Sequence, residues 1–225
     1  SGGYTLYYET VEDGTHLLGE ARSDDGMTFE RAGAVQFDGE AVGELSSLDG
    51  AGGPAPLDVD GERWLAFHGW RGAAQAIYAA AGDTSPGATF AALNGGGAVI
   101  EPAGEGAWDG LTVSSPSLAE IDGQVWLYYE GSDGARAGIG AAVYDAESGV
   151  FQRVQGPYPG EAGLVLERGE PGDWDDAWVG SPHVFMGADG SLEMVYAASD
   201  SGVVRIGRAS SMDGLTWIRH EVDGA

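Results

Sequence analysis

The chain has 225 residues and a formal net charge of −26, with 36 acidic residues set against ten arginines and neither lysine nor cysteine. This balance argues against nucleic acid and anionic membrane surfaces as partners, because both need clustered cations. The lack of cysteine excludes disulfides, thiolate metal sites and a cysteine nucleophile. No apolar run approaches the ~18 residues of a membrane helix, so membrane insertion is not expected.

The acidic surplus reads in two ways, as a solvated surface suited to high ionic strength or as a supply of hard oxygen ligands for divalent cations. Forty glycines, nine prolines and 43% hydrophobic residues suit many short strands joined by tight turns.

Along the chain four related segments appear. The first, YTLYYETVEDGTHLLGEARSDDGMTFER from Tyr4, predicts an aromatic strand, a small-residue strand around Gly19 and an outer strand. The second opens with a proline strand, PAPLDVDG from Pro54, and continues as RWLAFHGWRGAAQAIYAAAGDTSPGATFAAL from Arg63. The third pairs PSLAEIDG from Pro116 with VWLYYEGSDGARAGIGAAVYDAESGVFQRV from Val125. The fourth pairs PHVFMGADG from Pro182 with LEMVYAASDSGVVRIGRASSMDGLTWIRH from Leu192. Asp60-Gly61, Asp122-Gly123 and Asp189-Gly190 each join two apolar runs, which is a hairpin signal.

Tyr8, Phe67, Tyr129 and Tyr196 are 59, 62 and 67 residues apart, and Gly19, Tyr78, Gly140 and Gly207 repeat those intervals. Two anchors in one register predict a repeat in which each copy is one four-stranded antiparallel sheet. Such sheets cannot bury both faces alone and stack around an axis, which predicts an all-β, β-propeller fold. A β-sandwich is the alternative, but it leaves the equal-length repeat unexplained. The whole of 1–225 is expected to be one domain, with units near 1–53, 54–115, 116–181 and 182–225. The first unit lacks a proline strand, so either one sheet has three strands or the ring is larger than the four copies.

The succession of proline strand, Asp-Gly turn, Leu-Tyr-Tyr strand and Ile-Gly-x-Ala strand, followed by SDDGMTF or SMDGLTW, resembles the five-bladed propellers of glycoside hydrolase families 43 and 32. The last segments are also similar to the aspartate-box turn of sialidase propellers. The resemblance implies sugar cleavage by two carboxylates at the starts of inner strands. Several of these would stand immediately before the inner-strand proline, where this chain has Gly53, Ser115 and Ser181. None of the three is an acid or a base, so the resemblance points to a carbohydrate-binding or scaffold propeller more than to an enzyme. The alternatives are an active glycoside hydrolase using Asp49, Asp109, Glu130 or Asp175, and a protein-interaction propeller.

Candidate ligand groups follow from the repeat. Trp108-Asp109 and Trp174-Asp175-Asp176 precede two inner strands, where a tryptophan beside carboxylates either holds a sugar or plugs a seam between sheets. Glu9, His68 and Glu130 end the aromatic strands, with Trp70 close by; they either face a common channel as acid, base or cation ligands or bond turn backbones. His183 follows an inner-strand proline and, with Glu9 and Glu130, is a candidate metal ligand. His16 and His220 are expected at the surface. Related propellers hold an axial ion, so the resemblance implies Ca2+, with the segments around Asp13 and Asp175 richest in carboxylates. No cofactor is otherwise required. Export is the expected fate, to the periplasm or beyond, with a glycan as ligand.

Overall fold

The computed structural model describes residues 3–38 and 43–220, and the strands in them form four sheets that follow one another along the chain. The first contains β1 (Tyr4–Glu12), β2 (Thr15–Ser23) and β3 (Glu30–Ala34). A short β4 (Gln36–Phe37) crosses to the second sheet, which contains β5 (Gly50–Val59), β6 (Glu62–Arg71), β7 (Ala74–Asp83) and β8 (Thr89–Ala92). The third holds β9 (Thr112–Ile121), β10 (Gln124–Ser132), β11 (Ala137–Asp145) and β12 (Val150–Arg153), with β13 (Leu164–Glu167) beside β12 on the edge of β11. The fourth is β14 (Trp178–Met186), β15 (Leu192–Ser199), β16 (Val204–Ser211) and β17 (Ile218–Arg219).

Every pairing within these sheets is antiparallel except the short one between β4 and β8. The architecture is therefore an all-β, four-bladed propeller, and no α-helix occurs among the described residues. The five blades implied by the family resemblance are corrected to four among the described residues, because each of the four copies of the repeat supplies one sheet. The first sheet has three strands among the described residues.

Backbone chemistry explains the hairpins. Asp60 and Asp122 adopt φ of 50° and 51°, and Gly61 and Gly123 adopt 85° and 74°, the left-handed pair that a two-residue turn between twisted strands requires. The third expected turn is wider. Between β14 and β15 the Gly187 amide donates to Ser191 O at 2.7 Å, and Asp189 Oδ1 accepts from the Ser191 amide and hydroxyl.

The core lies in the seams between sheets. Tyr7, Leu18, Leu65, Phe67 and Phe90 join sheets one and two; Ala66, Ile77, Trp108, Leu127 and Tyr129 join two and three; Tyr128, Ile139, Val184, Met194 and Tyr196 join three and four. Full burial of each large side chain contributes about 1.5–3 kcal/mol.

The second anchor of the repeat has a steric cause. Tyr8 and Tyr196 lie flat on their cross-strand partners Gly19 and Gly207, where an added Cβ would meet the ring at 2.5 Å. Tyr129 covers Gly140 in the same way.

Candidate functional site

The inner strands β5, β9 and β14 share an irregularity that shapes the mouth of the axis. Just before the proline, Gly53, Ser115 and Ser181 take φ of 58°, 48° and 47°, and the pairing with the neighbouring strand slips by a bulge. Serine pays an energetic penalty in this left-handed region, so something must hold the bulge.

The holding groups come from the preceding sheet. The Ser115 amide donates to His68 Nδ1 at 3.3 Å, and the Ser181 amide donates to Glu130 Oε2 at 3.1 Å. Glu9 occupies the same place one sheet earlier, packed on Gly52 beside His68 Nε2. His68 and Glu130 thus support the bulged backbone at this mouth, and Glu9 packs beside His68. Ala197, in the corresponding position of the fourth sheet, carries no polar group.

Below this mouth runs a channel of about 340 Å³ lined by Gly53 to Pro56, Ser115 to Leu118, and Ser181 to His183. Its walls are three copies of the same proline strand. Two of them, β9 and β14, are tied by the Val184 amide, which donates to Ser117 Oγ at 3.0 Å in a buried bond.

Around the mouth the side chains form a connected cluster. His16 Nδ1 lies 2.5 Å from Glu9 Oε1, and the His16 ring meets Trp70 edge-on at 5.2 Å. The His68 ring stacks on Trp70 at 5.9 Å, and the indole rests on Gly50, where a Cβ would lie 2.5 Å from it. Asp49 is exposed and fixes the approach to this indole: its amide donates to Trp70 O at 2.9 Å, and its Oδ2 accepts from the Gly72 amide at 2.6 Å.

Electrostatics differ between two equivalent positions. Burial pushes the His68 imidazole below its ordinary pKa, against the pull of the Glu9 carboxylate. Because Nδ1 accepts a hydrogen bond, the bonding network assigns the single proton to Nε2. Burial pushes Glu130 up, although the Trp178 indole N–H at 3.1 Å and the Ser181 amide both favour its charged form.

The Trp-Asp segments lie elsewhere: Trp108, Asp109 and Asp175 are buried, and Trp174 and Asp176 are half-buried. Trp108 is 1% exposed and Asp109 is fully buried. The Trp108 indole N–H donates to Ala162 O at 2.9 Å, and the ring stacks on Tyr129. Asp109 Oδ2 accepts from the Tyr129 hydroxyl at 2.8 Å and from Arg153 Nε at 2.8 Å, while Arg153 Nη2 donates to Glu101 O at 2.6 Å.

The fourth sheet repeats this arrangement. Asp175 Oδ2 accepts from Arg219 Nε at 2.8 Å and more loosely from the Tyr196 hydroxyl at 3.5 Å, and Arg219 also reaches Glu167 O. Trp174 packs on Tyr196 and Gly207, and Asp176 Oδ2 accepts from the Gly172 amide at 2.7 Å. These groups plug seams and tie loops, the structural role weighed for them from sequence.

Sequence reasoning missed three contributors. His16, expected at the surface, is half of the Glu9 pair. Arg153 and Arg219 were legible only as outer-strand residues; the signal was that arginine stands in the outer strand of the two units that also carry Trp-Asp.

The donor groups suggested for an ion do not converge. Glu9 is engaged by His16, both oxygens of Glu130 accept hydrogen bonds, and His183 is exposed beside Phe185. Among the described residues no group of three or more His, Asp or Glu side chains is placed to hold a metal ion. The carboxylates and histidine suggested for an ion are thus engaged with other groups or set apart from one another.

The fold is shared with sugar-processing enzymes. The chain is similar to a solved structure described as a glycoside hydrolase, at 18% identity and a TM-score of 0.71, over 99% of this chain and 71% of that one. It is similar to an exo-1,5-α-L-arabinanase from a bovine ruminal metagenomic library at 14% identity and a TM-score of 0.68, over 97% of this chain and 70% of that one. A thermostable family-43 glycoside hydrolase matches at 16% identity and a TM-score of 0.66, over 100% of this chain and 74% of that one. No family model matches the sequence, and no curated protein matches it. The chain is thus a propeller of the glycoside-hydrolase-like fold, a likeness that concerns architecture.

Proposed function

We propose that this propeller binds a carbohydrate at the mouth of its axial channel without cleaving it. Trp70 supplies a flat apolar surface for a sugar ring, and Glu9, His16 and His68 supply hydrogen-bonding groups around it. The observation that carries the reading is the joining of this cluster to three pre-proline positions without a carboxyl group, Gly53, Ser115 and Ser181. Hydrolysis needs an acid and a second carboxylate on opposite sides of the glycosidic bond. Here both oxygens of Glu130 are held by Trp178 and Ser181, and Asp109 and Asp175 are tied to arginines.

One observation favours the hydrolytic alternative. Burial raises the pKa of Glu130, which is what a general acid requires.

The test is a glycan array followed by calorimetry on the best ligand. Wild type is expected to bind, and Trp70→Ala to weaken binding about tenfold or more, in keeping with loss of about 1.4 kcal/mol or more of stacking. Sugar release that stops in Glu130→Gln would establish the hydrolase instead. Silence of the array in both binding and turnover would remove the carbohydrate reading.

A further inference from the structure

The seam between the first two sheets is filled differently from the next one. In the second seam Trp108 packs with Ile77, Val99, Val113 and Tyr129. Each of these residues has a counterpart one repeat earlier. Phe67 corresponds to Tyr129 and Leu18 to Ile77, by the repeat register. Ala51 lies opposite Gly69 as Val113 lies opposite Gly131. The Val35 amide donates to Leu18 O at 2.9 Å as the Val99 amide donates to Ile77 O at 2.8 Å.

The counterpart of Trp108 is Leu48. It precedes Asp49-Gly50 as Trp108 precedes Asp109-Gly110. A Cβ on Gly69 would meet Leu48 Cδ1 at 2.6 Å, and a Cβ on Gly131 would meet Trp108 Cζ3 at the same 2.6 Å. Trp174 fills the third seam in its turn, against Gly207 and Tyr196.

Replacing an indole by an isobutyl group leaves space, and the structure shows it. A cavity of about 320 Å³ lies in the first seam, lined among others by Leu17, Leu18, Val35, Leu45, Leu48 and Phe67. That volume lies within the range of small-molecule sites, and the lining named here is apolar. The cavity is open to solvent on one side, which gives a ligand access to its apolar wall. Thr15, His16 and Gly50 also line it, so it adjoins the Glu9–His16 pair and has His16 in common with the polar mouth.

The geometry points to a binding site for a planar aromatic group of a small molecule, the size of an indole ring, seated where Trp108 and Trp174 stand in the sister seams. The repeat itself specifies the occupant: Leu18, Val35, Ala51 and Phe67 in its lining stand at the positions of Ile77, Val99, Val113 and Tyr129, which pack with an indole in the next seam. Polar rings are disfavoured, since burying hydroxyls against Leu18, Val35 and Phe67 leaves them without partners. The site borders the proposed sugar-binding mouth, but it is argued from the seam packing and stands if the carbohydrate reading falls.

Indole is the probe. Calorimetry of the full chain is expected to show saturable one-site binding, weakened at least tenfold in Leu48→Trp, whose side chain fills the space. Wild-type crystals soaked in 5-bromoindole test the position without any substitution, with the bromine signal expected between Leu18, Leu48 and Phe67. The inference is overturned if wild type shows no saturable binding, if a folded Leu48→Trp binds indole as tightly as wild type, or if the bromine sits outside this seam.

Discussion

Replacing Arg153 by leucine tests whether the buried Trp-Asp segments hold the blades together. In the folded protein Asp109 is fully buried, while the Arg153 side chain keeps 20% of its exposure, so the pair is shielded from solvent mainly on the carboxylate side. Arg153→Leu leaves that carboxylate with the Tyr129 hydroxyl as its remaining hydrogen-bond donor. Breaking a buried pair from one side costs about 3–5 kcal/mol, because the desolvated charge loses its counter-ion. For a chain of this length that corresponds to a fall of about 6–20 °C in Tm.

Arg219→Leu should cost less, about 1–3 kcal/mol, since Arg219 is 32% exposed and the Tyr196 hydroxyl stands 3.5 Å from its partner. Urea unfolding followed by circular dichroism measures both. The double variant Asp109→Leu with Arg153→Leu should recover much of the single-variant loss, because apolar groups of similar size need no counter-ion. The reasoning is refuted if Arg153→Leu costs under about 1 kcal/mol, as an exposed pair would, or if the double variant is no more stable than Arg153→Leu.

Gly140→Ala forces a methyl into the Tyr129 ring and should cost about 1–3 kcal/mol in urea unfolding, with the largest effect on the seam between sheets two and three. His68 and Glu130, in equivalent positions, should oppose each other in pH dependence. His68 has a folded pKa below its unfolded value near 6.5, so its stabilisation is present above that pH and is lost as pH falls; His68→Gln should flatten the loss of stability on the acid side of neutrality. Glu130 has a folded pKa above its unfolded value near 4.5, so its stabilisation is complete below that pH and is lost as pH rises; Glu130→Gln should flatten the decline above that point. Unfolding free energies of both variants between pH 4 and 8 check the two signs.

Much of the architecture was legible because the repeat imposes one steric rule on each sheet. An aromatic residue facing a cross-strand glycine recurs as Tyr8 on Gly19, Tyr129 on Gly140 and Tyr196 on Gly207, and the spacing between such pairs marks the blades. The second unit departs from the rule with Phe67 opposite Tyr78, two rings stacked at 6.0 Å, yet the register survives. The number of blades in the resemblance was less transferable than the blade itself, since it depends on how many copies the chain contributes.

The candidate site was harder to read for a physical reason. A tryptophan beside an aspartate has the same chemistry whether it faces solvent or a seam, and only the position of Arg153 and Arg219 decides between them. His16 was hidden in another way. It lies on β2, seven residues beyond Glu9, and the two meet because the hairpin folds β2 back along β1.

The order of packing has a consequence for how the molecule comes apart. Among the described residues each hydrophobic cluster spans two consecutive sheets, so sheets one and four each take part in one of these seams and sheets two and three in two. Local opening should therefore be easier in sheets one and four than in sheets two and three. Amide protons of β6, β7, β10 and β11 would then exchange with deuterium last, and those of β1 and β16 first.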